Sequence, residues 1–301
     1  LVVLSYPLFF FGAIMLTEPL TTPPTRRLQI VYGVGVGVLF FLQFHIGKLY
    51  STPELALIIG NLFSYIVSPK QRLKLIFEKS QKLSFDIYEF VFRTSEKLSF
   101  QAGQYLEWTL PNLFLDSRGN RRYFTIASAP TEDKLRLGVR TFAEGSEFKK
   151  RLVSLEEGNY IWASQLSGEF VMPADASEKL VFIAGGIGIT PFRSMIKYLL
   201  DKKEKRDIVL IYTCVAADHF VYQDIFKEAE NMLGIKVYYV ITDETKVPAD
   251  WTGLKGFLTA EMISTHVKDY KDRLFYLSGP NVMVKNYSQL LQTVGVEKKK
   301  I

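Results

Sequence analysis

Two patterns of hydrophobic positions divide the chain near residue 70. Before it, apolar residues follow one another without interruption: Leu1–Leu16 and Leu28–Ile46 hold no charge, and Leu55–Val67 is broken only by small or polar residues such as Asn61 and Ser64. A helix needs about 20 apolar residues to cross a bilayer core. The second run meets that length alone. The first is shorter and is expected to continue before Leu1, and the third is marginal. The pattern predicts about three membrane helices over residues 1–69. Arg26 and Arg27 follow the first run and Lys70, Arg72 and Lys74 follow the third. Basic residues collect on the cytoplasmic side, so the expectation is a multi-pass membrane protein with the rest of the chain in the cytoplasm.

After Arg72 the apolar runs become short and alternate. Leu135, Leu137 and Val139 interleave with Arg136 and Arg140, the period of a strand with one wet face. Phe85 and Ile87 share one phase and Tyr88, Phe90 and Phe92 the other, which predicts a bulge at that slip. Further strands are expected at Arg72–Glu78, Gln104–Leu110, Arg122–Ser128 and Tyr160–Ser164. Together they predict a small antiparallel barrel over residues 70–175. Beyond it strands alternate with helices: Leu180–Ala184, Ile208–Thr213, Val237–Thr242 and Leu274–Leu277, followed in turn by Pro191–Lys202, Tyr222–Met232, Thr259–His266 and Asn281–Gln292. That order predicts an α/β domain over residues 176–301 with a parallel sheet covered on both faces. The expected fold class is therefore membrane α-helices, then an all-β six-stranded antiparallel barrel, then a parallel-sheet α/β module.

Composition sharpens this picture. The chain has 301 residues, 23% of them charged, yet residues 1–69 hold only Glu18, Arg26, Arg27, Lys48 and Glu54 as charged positions. One cysteine excludes a disulfide framework and a Cys-rich metal module. The net charge of +6 suits the basic flank of an anionic lipid bilayer, and no nucleic-acid motif accompanies it. Gly33 and Gly37, four residues apart, are expected to pack closely against a neighbouring helix. His45 is the only histidine before residue 70, so paired haem ligands are not expected there, and it reads as an interfacial side chain. The proline- and threonine-rich Thr17–Thr25 reads either as a plain loop or as backbone lining a cavity.

Three segments carry chemistry. Gly185-Gly186-Ile187-Gly188-Ile189-Thr190-Pro191 lies between a strand and a helix, where glycines admit a phosphate close to the backbone. In Arg122-Tyr123-Phe124-Thr125, a guanidinium suits a pyrophosphate, an aromatic two residues on lies on the same strand face, and a hydroxyl suits a ring heteroatom. The alternative is an ordinary barrel strand with a surface arginine. Leu277-Ser278-Gly279-Pro280-Asn281-Val282-Met283 is again strand, turn and helix. Cys214, at a strand end, reads as a small apolar filler.

In this order the three segments resemble the ferredoxin–NADP reductase superfamily, over about residues 72–301. Arg122, Phe124 and Thr125 resemble its Arg-x-Tyr-Ser flavin motif, with Phe124 lacking the phenol hydroxyl. Gly103-Gln104-Tyr105, Gly145-Ser146 and Gly168-Glu169-Phe170 resemble its other barrel motifs. Ser278-Gly279-Pro280 resembles its Cys-Gly-Pro, with serine for the thiol. The resemblance implies FAD and NADH or NADPH as cofactors. It implies cofactor contacts from Gln104, Tyr105, Arg122, Tyr123, Phe124, Thr125, Val139, Gly145 and Ser146 in the barrel. On the nucleotide side it implies Gly186, Gly188, Thr190, Pro191, Gly279, Pro280 and Met283, with Thr125 and Ser278 closest to the chemistry. Tyr212 to Asp218, after the second strand of the nucleotide domain, offers no base to a 2′-phosphate and Asp218 would repel one, which favours NADH.

Residues 14–69, with Thr17-Glu18-Pro19-Leu20-Thr21-Thr22-Pro23 and Pro53–Pro69, resemble the end of the membrane subunit shared by the sodium-pumping NADH:quinone oxidoreductase (its B subunit) and the Rnf complex (its D subunit). That family carries FMN on a threonine in a separate motif which this chain lacks, so FMN in the membrane part is an expectation with no residue assigned. The combined expectation is a membrane-bound oxidoreductase passing electrons from a nicotinamide dinucleotide through FAD to a membrane or soluble carrier, such as a quinone, a flavin or an iron–sulfur protein. The alternatives are a ferric-reductase-like route through haem and a non-catalytic assembly subunit.

Overall fold

A computed structural model describes residues 11–16, 21–23, 25–42, 45–46, 49–67, 72–94, 96–111, 119–141 and 145–301. The chain forms two compact units, Leu1–Arg72 with Ser164–Glu169, and Leu73–Ala163 with Phe170–Ile301.

In the first unit Phe11–Met15 forms a short π-helical stretch. Thr25 then caps helix α1 (Arg26–Phe41), its hydroxyl accepting from the Leu28 amide. Strands β1 (His45–Ile46) and β2 (Leu49–Tyr50) pair antiparallel, and helix α2 (Pro53–Val67) follows. The expected three membrane helices are not found among the described residues. Among the described residues no helix is long and apolar enough to cross a membrane. The 16 residues of α1 span about 24 Å, against a hydrocarbon core of about 30 Å. The uncharged run Leu28–Ile46 is longer than α1 allows, because the backbone turns extended at Leu42 and pairs at His45–Ile46. Residues 1–10 of the first run, and 17–20 and 24 of the proline-rich segment, lie outside the described residues.

The helix contact is also not where the glycines of α1 predict it. Among the described residues, a side chain at Gly33, Gly35 or Gly37 would meet nothing within 4 Å. The contact face of α1 is instead Tyr32 and Val36, one turn apart and both buried. They press on Gly60 of α2, where a Cβ would lie 2.3 Å from Val36 Cγ2. The Tyr32 hydroxyl donates to Asn61 Oδ1 at 2.9 Å. The glycine that admits the neighbour is on the other helix.

From Leu73 the chain forms a six-stranded antiparallel sheet: β3 (Leu73–Lys82), β4 (Ile87–Thr94), β5 (Tyr105–Thr109), β6 (Arg121–Thr125), β7 (Leu135–Arg140) and β8 (Tyr160–Ser167), all in the second unit but for the last four residues of β8. Their order is β6-β5-β8-β3-β4-β7. Leu75, Phe90, Phe92, Trp108, Leu137 and Ile161 fill its interior. The bulge exists, but on the partner strand: the β3–β4 register shifts between Phe77 and Lys79. Phe85 lies in the bend before β4, more than half exposed, so its phase carried no strand information. Helix α3 (Glu147–Val153), which the pattern did not predict, lies between β7 and β8.

Strands β9 (Leu180–Gly185), β10 (Ile208–Cys214), β11 (Lys236–Ile241), β12 (Leu254–Lys255) and β13 (Leu274–Ser278) form a parallel sheet in the order β12-β11-β10-β9-β13. Helices α4 (Thr190–Lys202), α5 (Gln223–Leu233), α6 (Ala260–His266) and α7 (Asn281–Thr293) cover it. Both faces are buried, as a parallel sheet requires. Leu180, Phe182, Leu210 and Tyr212 point into one core with Phe192 and Phe226. Their sequence neighbours Val181, Ile183, Val209 and Ile211 point into the other with Tyr287 and Leu291. After β9 the chain builds outward through β10 to β12, then returns to β9's other edge with β13. Strand order reverses at β9, and ligands of such sheets bind at the carboxyl ends beside that reversal.

Candidate active site

The β9 strand ends at Gly185, and Gly186–Ile189 makes a tight turn into α4, with Pro191 in its first turn. Gly186 has φ +53° and open space where a Cβ would stand. At Gly188 the constraint is contact: a Cβ would lie 2.4 Å from the Ser278 carbonyl oxygen and 2.6 Å from Gly279 N. The two strand-end turns therefore touch through backbone, which only glycine allows. Met283 of α7 supports them from beneath, its sulfur 3.7 Å from Thr213 Oγ1, which donates to the Ala184 carbonyl at 2.9 Å.

The facing wall comes from the barrel. β6 pairs with β5 so that Thr125 lies opposite Tyr105, and Trp108 Nε1 donates to the Phe124 carbonyl at 3.1 Å. The Tyr123 hydroxyl donates to Glu107 Oε2 at 3.0 Å. Burial, followed by the Glu107 carboxylate, pushes the Tyr123 phenol up to about 12. Gly138, in the middle of β7, brings this wall against the nucleotide side: a Cβ there would lie 2.8 Å from Thr190 Cγ2 and 3.0 Å from the Tyr222 hydroxyl. Arg140 Nε donates to buried Asp86 Oδ2 at 2.5 Å, and Lys149 Nζ to the Arg140 carbonyl at 2.6 Å.

Between the walls is a crevice of about 770 Å³, within the roughly 300–1,000 Å³ of small-molecule and cofactor sites. It is lined by Tyr123, Phe124 and Thr125 on one side and by Gly186, Gly188, Thr190, Ser278, Gly279, Pro280 and Met283 on the other. The remaining expected residues stand back from it. Gln104 closes a local turn with Gln101, Val139 is buried in β7, and Pro191 is buried in α4. Tyr105 packs edge-on against Tyr123, and Gly145 and Ser146 lead into α3. Arg122 is the clearest departure. It shares a strand face with Phe124, both packing on Phe148, but its Nη1 donates to the carbonyls of Gly119 and Arg121 at 3.0 and 2.7 Å.

Several lining residues carried no motif in the sequence. Gly138 could have been noticed, since a glycine inside a strand marks a close approach. Arg140, Lys149, His219 and Asn286 reach the crevice through tertiary packing alone. Cys214 also lines it, but burial pushes its thiol up to about 12, so it is a neutral wall atom.

Residues 182–289 match the model of the oxidoreductase NAD-binding domain. The flavohemoprotein of Halalkalibacterium halodurans is 23% identical over 241 residues, which is 75% of this chain and 57% of the relative. The stachydrine N-demethylase reductase subunit of Rhizobium meliloti is 26% identical, over 58% of this chain and 50% of the relative. The chain thus spans about half the length of the curated relatives it matches. The flavohem-like FAD/NAD-binding domain of the nitric oxide dioxygenase of Vibrio cholerae has the same fold, with a TM-score of 0.64, 20% identity, and coverage of 76% of this chain and 96% of that one. Residues 182–289 thus match an oxidoreductase NAD-binding domain, and the fold is ferredoxin–NADP reductase-like.

The Vibrio cholerae domain that shares this fold is an FAD/NAD-binding domain. The residues present suit those cofactors. Gly186 leaves a backbone cradle without side chains, Phe124 and Thr125 offer an aromatic face and a hydroxyl, and Arg140 and Lys149 bring two cations to the rim.

Proposed function

We propose that this module takes a hydride from NADH and delivers the two electrons one at a time to a separate acceptor. FAD would be held against Phe124 and Thr125, and the nicotinamide against Gly186–Thr190 and Ser278–Pro280. The observation that carries this reading is that the flavin-type strand and both glycine turns line one crevice rather than separate ones. FAD supplies the conversion from two-electron to one-electron transfer. The protein's own part is orientation: Gly188 lets the two turns close on each other, and Met283 and Trp108 brace the two walls.

The preference for NADH rests on the carboxyl end of β10. Cys214, Val215 and His219 line the crevice there, and the lining residues of the nucleotide domain include no lysine or arginine. A 2′-phosphate would find no cation on that wall, and Asp218 would repel one.

A membrane-associated acceptor, and a place at the membrane with the flavin module on the cytoplasmic side, are supported by the first unit. Its helices leave Ile30, Val31, Val34, Val38, Leu62 and Ile66 more than half exposed, an apolar surface larger than isolated surface residues provide. A haem acceptor is the second reading, favoured by the flavohemoprotein relatives.

The test is anaerobic titration of the purified full chain with NADH. Bleaching of bound FAD is expected, with NADPH slower by at least tenfold. Protein that carries no flavin, or whose flavin stays oxidised, would overturn the reading.

A further inference from the structure

The crevice is held from behind by a buried ionic latch that none of the cofactor motifs contains. Thr190 begins α4 on the crevice, and Arg193 and Ser194 follow it by three and four positions, so all three share a helix face. Arg193 is 4% exposed and Ser194 fully buried. On the barrel side, Ala127 and Ser128 follow Thr125 by two and three positions, and Glu132 closes the same loop. Arg193 Nη1 donates to the Ala127 carbonyl at 3.1 Å and to Glu132 Oε2, while Nη2 donates to Glu132 Oε1 at 3.0 Å. Ser194 Oγ donates to the Ser128 carbonyl at 2.6 Å. Glu132 is steered by the Ala129 amide at 2.7 Å and by Arg136 Nε at 3.1 Å. Thr131 adds a bond to Asp201, further along α4, at 2.6 Å.

Stability alone is a poor reason for this arrangement. Burying a guanidinium costs several kcal/mol of solvation, and an apolar pair of similar volume is often as stable. Here the Arg193 Nε finds no hydrogen-bond partner among the described residues. What an ionic fork provides that apolar packing does not is direction. A bidentate pair fixes distance and angle together.

We propose that Arg193 and Ser194 are positioning residues that hold the Thr125 end of β6 in register with the Gly186–Thr190 turn, and so set the separation of the two walls of the crevice. The proposal rests on the function proposed above, because the separation matters when one wall holds the flavin and the other the nicotinamide. The path is short: two residues from Thr125 to Ala127, one side chain, and three residues from Arg193 back to Thr190. A misplacement of about 1 Å between reacting groups costs about 100-fold in rate.

The test uses the full chain with bound FAD in single-turnover reduction by NADH, for Arg193→Met, Arg193→Lys and Ser194→Ala. Expected for Arg193→Met is a hydride-transfer rate constant per bound flavin lower by about 30- to 100-fold, with the NADH dissociation constant within threefold of the parent. Arg193→Lys recovers only part of the loss, since one ammonium cannot replace the fork. Ser194→Ala loses about three- to tenfold. A second readout needs no flavin: in the apoprotein, amide exchange accelerates together over residues 125–132 and 186–194 in Arg193→Met. A purely structural role would lower the melting temperature and leave the rate per bound flavin alone. A rate within twofold of the parent in Arg193→Met, or exchange that changes on one side only, overturns the proposal. If Arg193→Met does not fold, Ser194→Ala decides, and an unchanged rate there is equally fatal. A parent protein that NADH does not reduce sinks the function proposed above, while the exchange measurement still judges the latch.

Discussion

The two walls of the crevice are made of different materials. The nucleotide wall is backbone. Gly186 leaves open space at φ +53°, and Gly188 allows the Ser278 carbonyl to come within contact of its own Cα. The barrel wall is made of side chains, Tyr123, Phe124 and Thr125, whose orientation depends on what each packs against. A wall of backbone has little freedom to rearrange, because any movement displaces a strand of the buried sheet. A wall of side chains is adjustable, because each rotamer depends on its neighbours, as in the edge-on packing of Tyr105 on Tyr123.

The sharpest break in that comparison is Gly188→Ala. The new methyl would meet backbone at 2.4–2.6 Å on the neighbouring turn, so β9 and β13 must part at the crevice. NADH-driven turnover should fall by about 100-fold, with about 1–3 kcal/mol of stability lost, read by steady-state kinetics and thermal melting. On the barrel wall, Thr125→Ala, which removes a lining hydroxyl, should leave the fold intact and weaken FAD retention by about tenfold, the scale of one hydrogen bond, measured as flavin released on dilution. Retention unchanged in that variant would remove the Thr125 hydroxyl from the flavin contact.

A smaller effect comes from acid. Burial alone would push the Glu132 carboxyl up, but the Arg193 bond and charge, the Ala129 amide and Arg136 together hold it below its usual range. A depressed carboxyl contributes stability that is present above its unfolded value, about 4.3, and is lost as pH falls through the folded one. The melting temperature should therefore drop below about pH 4, and Glu132→Gln should flatten that drop while lowering stability at pH 7. The smallest effect concerns Cys214. With its thiol buried and pushed up to about 12, it should alkylate at pH 8 far more slowly in the folded protein than after denaturation, as followed by mass spectrometry.

The strands and helices after residue 72 were legible because burial there imposes a period. Leu135, Leu137 and Val139 could be read directly, and β7 runs Leu135–Arg140. The nucleotide turns were legible for a related reason, since glycines between a strand and a helix have few other uses. Phe85 misled because one aromatic in phase with its neighbour imitates a strand, while in the structure it sits in a bend. The apolar segment before residue 70 misled further. Hydrophobicity without period says that a surface avoids water, not how long its helices are, and α1 stops at Phe41 within a run that continues to Ile46. Helix α3 went unseen because seven residues are too few to show a helical period.

Local order is written in residues close along the chain. Strand period, the turn at Gly186 and the start of α4 at Thr190 all depend on steric rules acting over a few positions, so the amino acids alone settle them. The direction of Arg122, the pairing of Arg193 with Glu132 across 61 residues and the arrival of Arg140 and Lys149 at the crevice depend on which surfaces meet after folding. Side chains take the partners that burial leaves them, and those partners are distant in sequence, so only the folded chain assigns them.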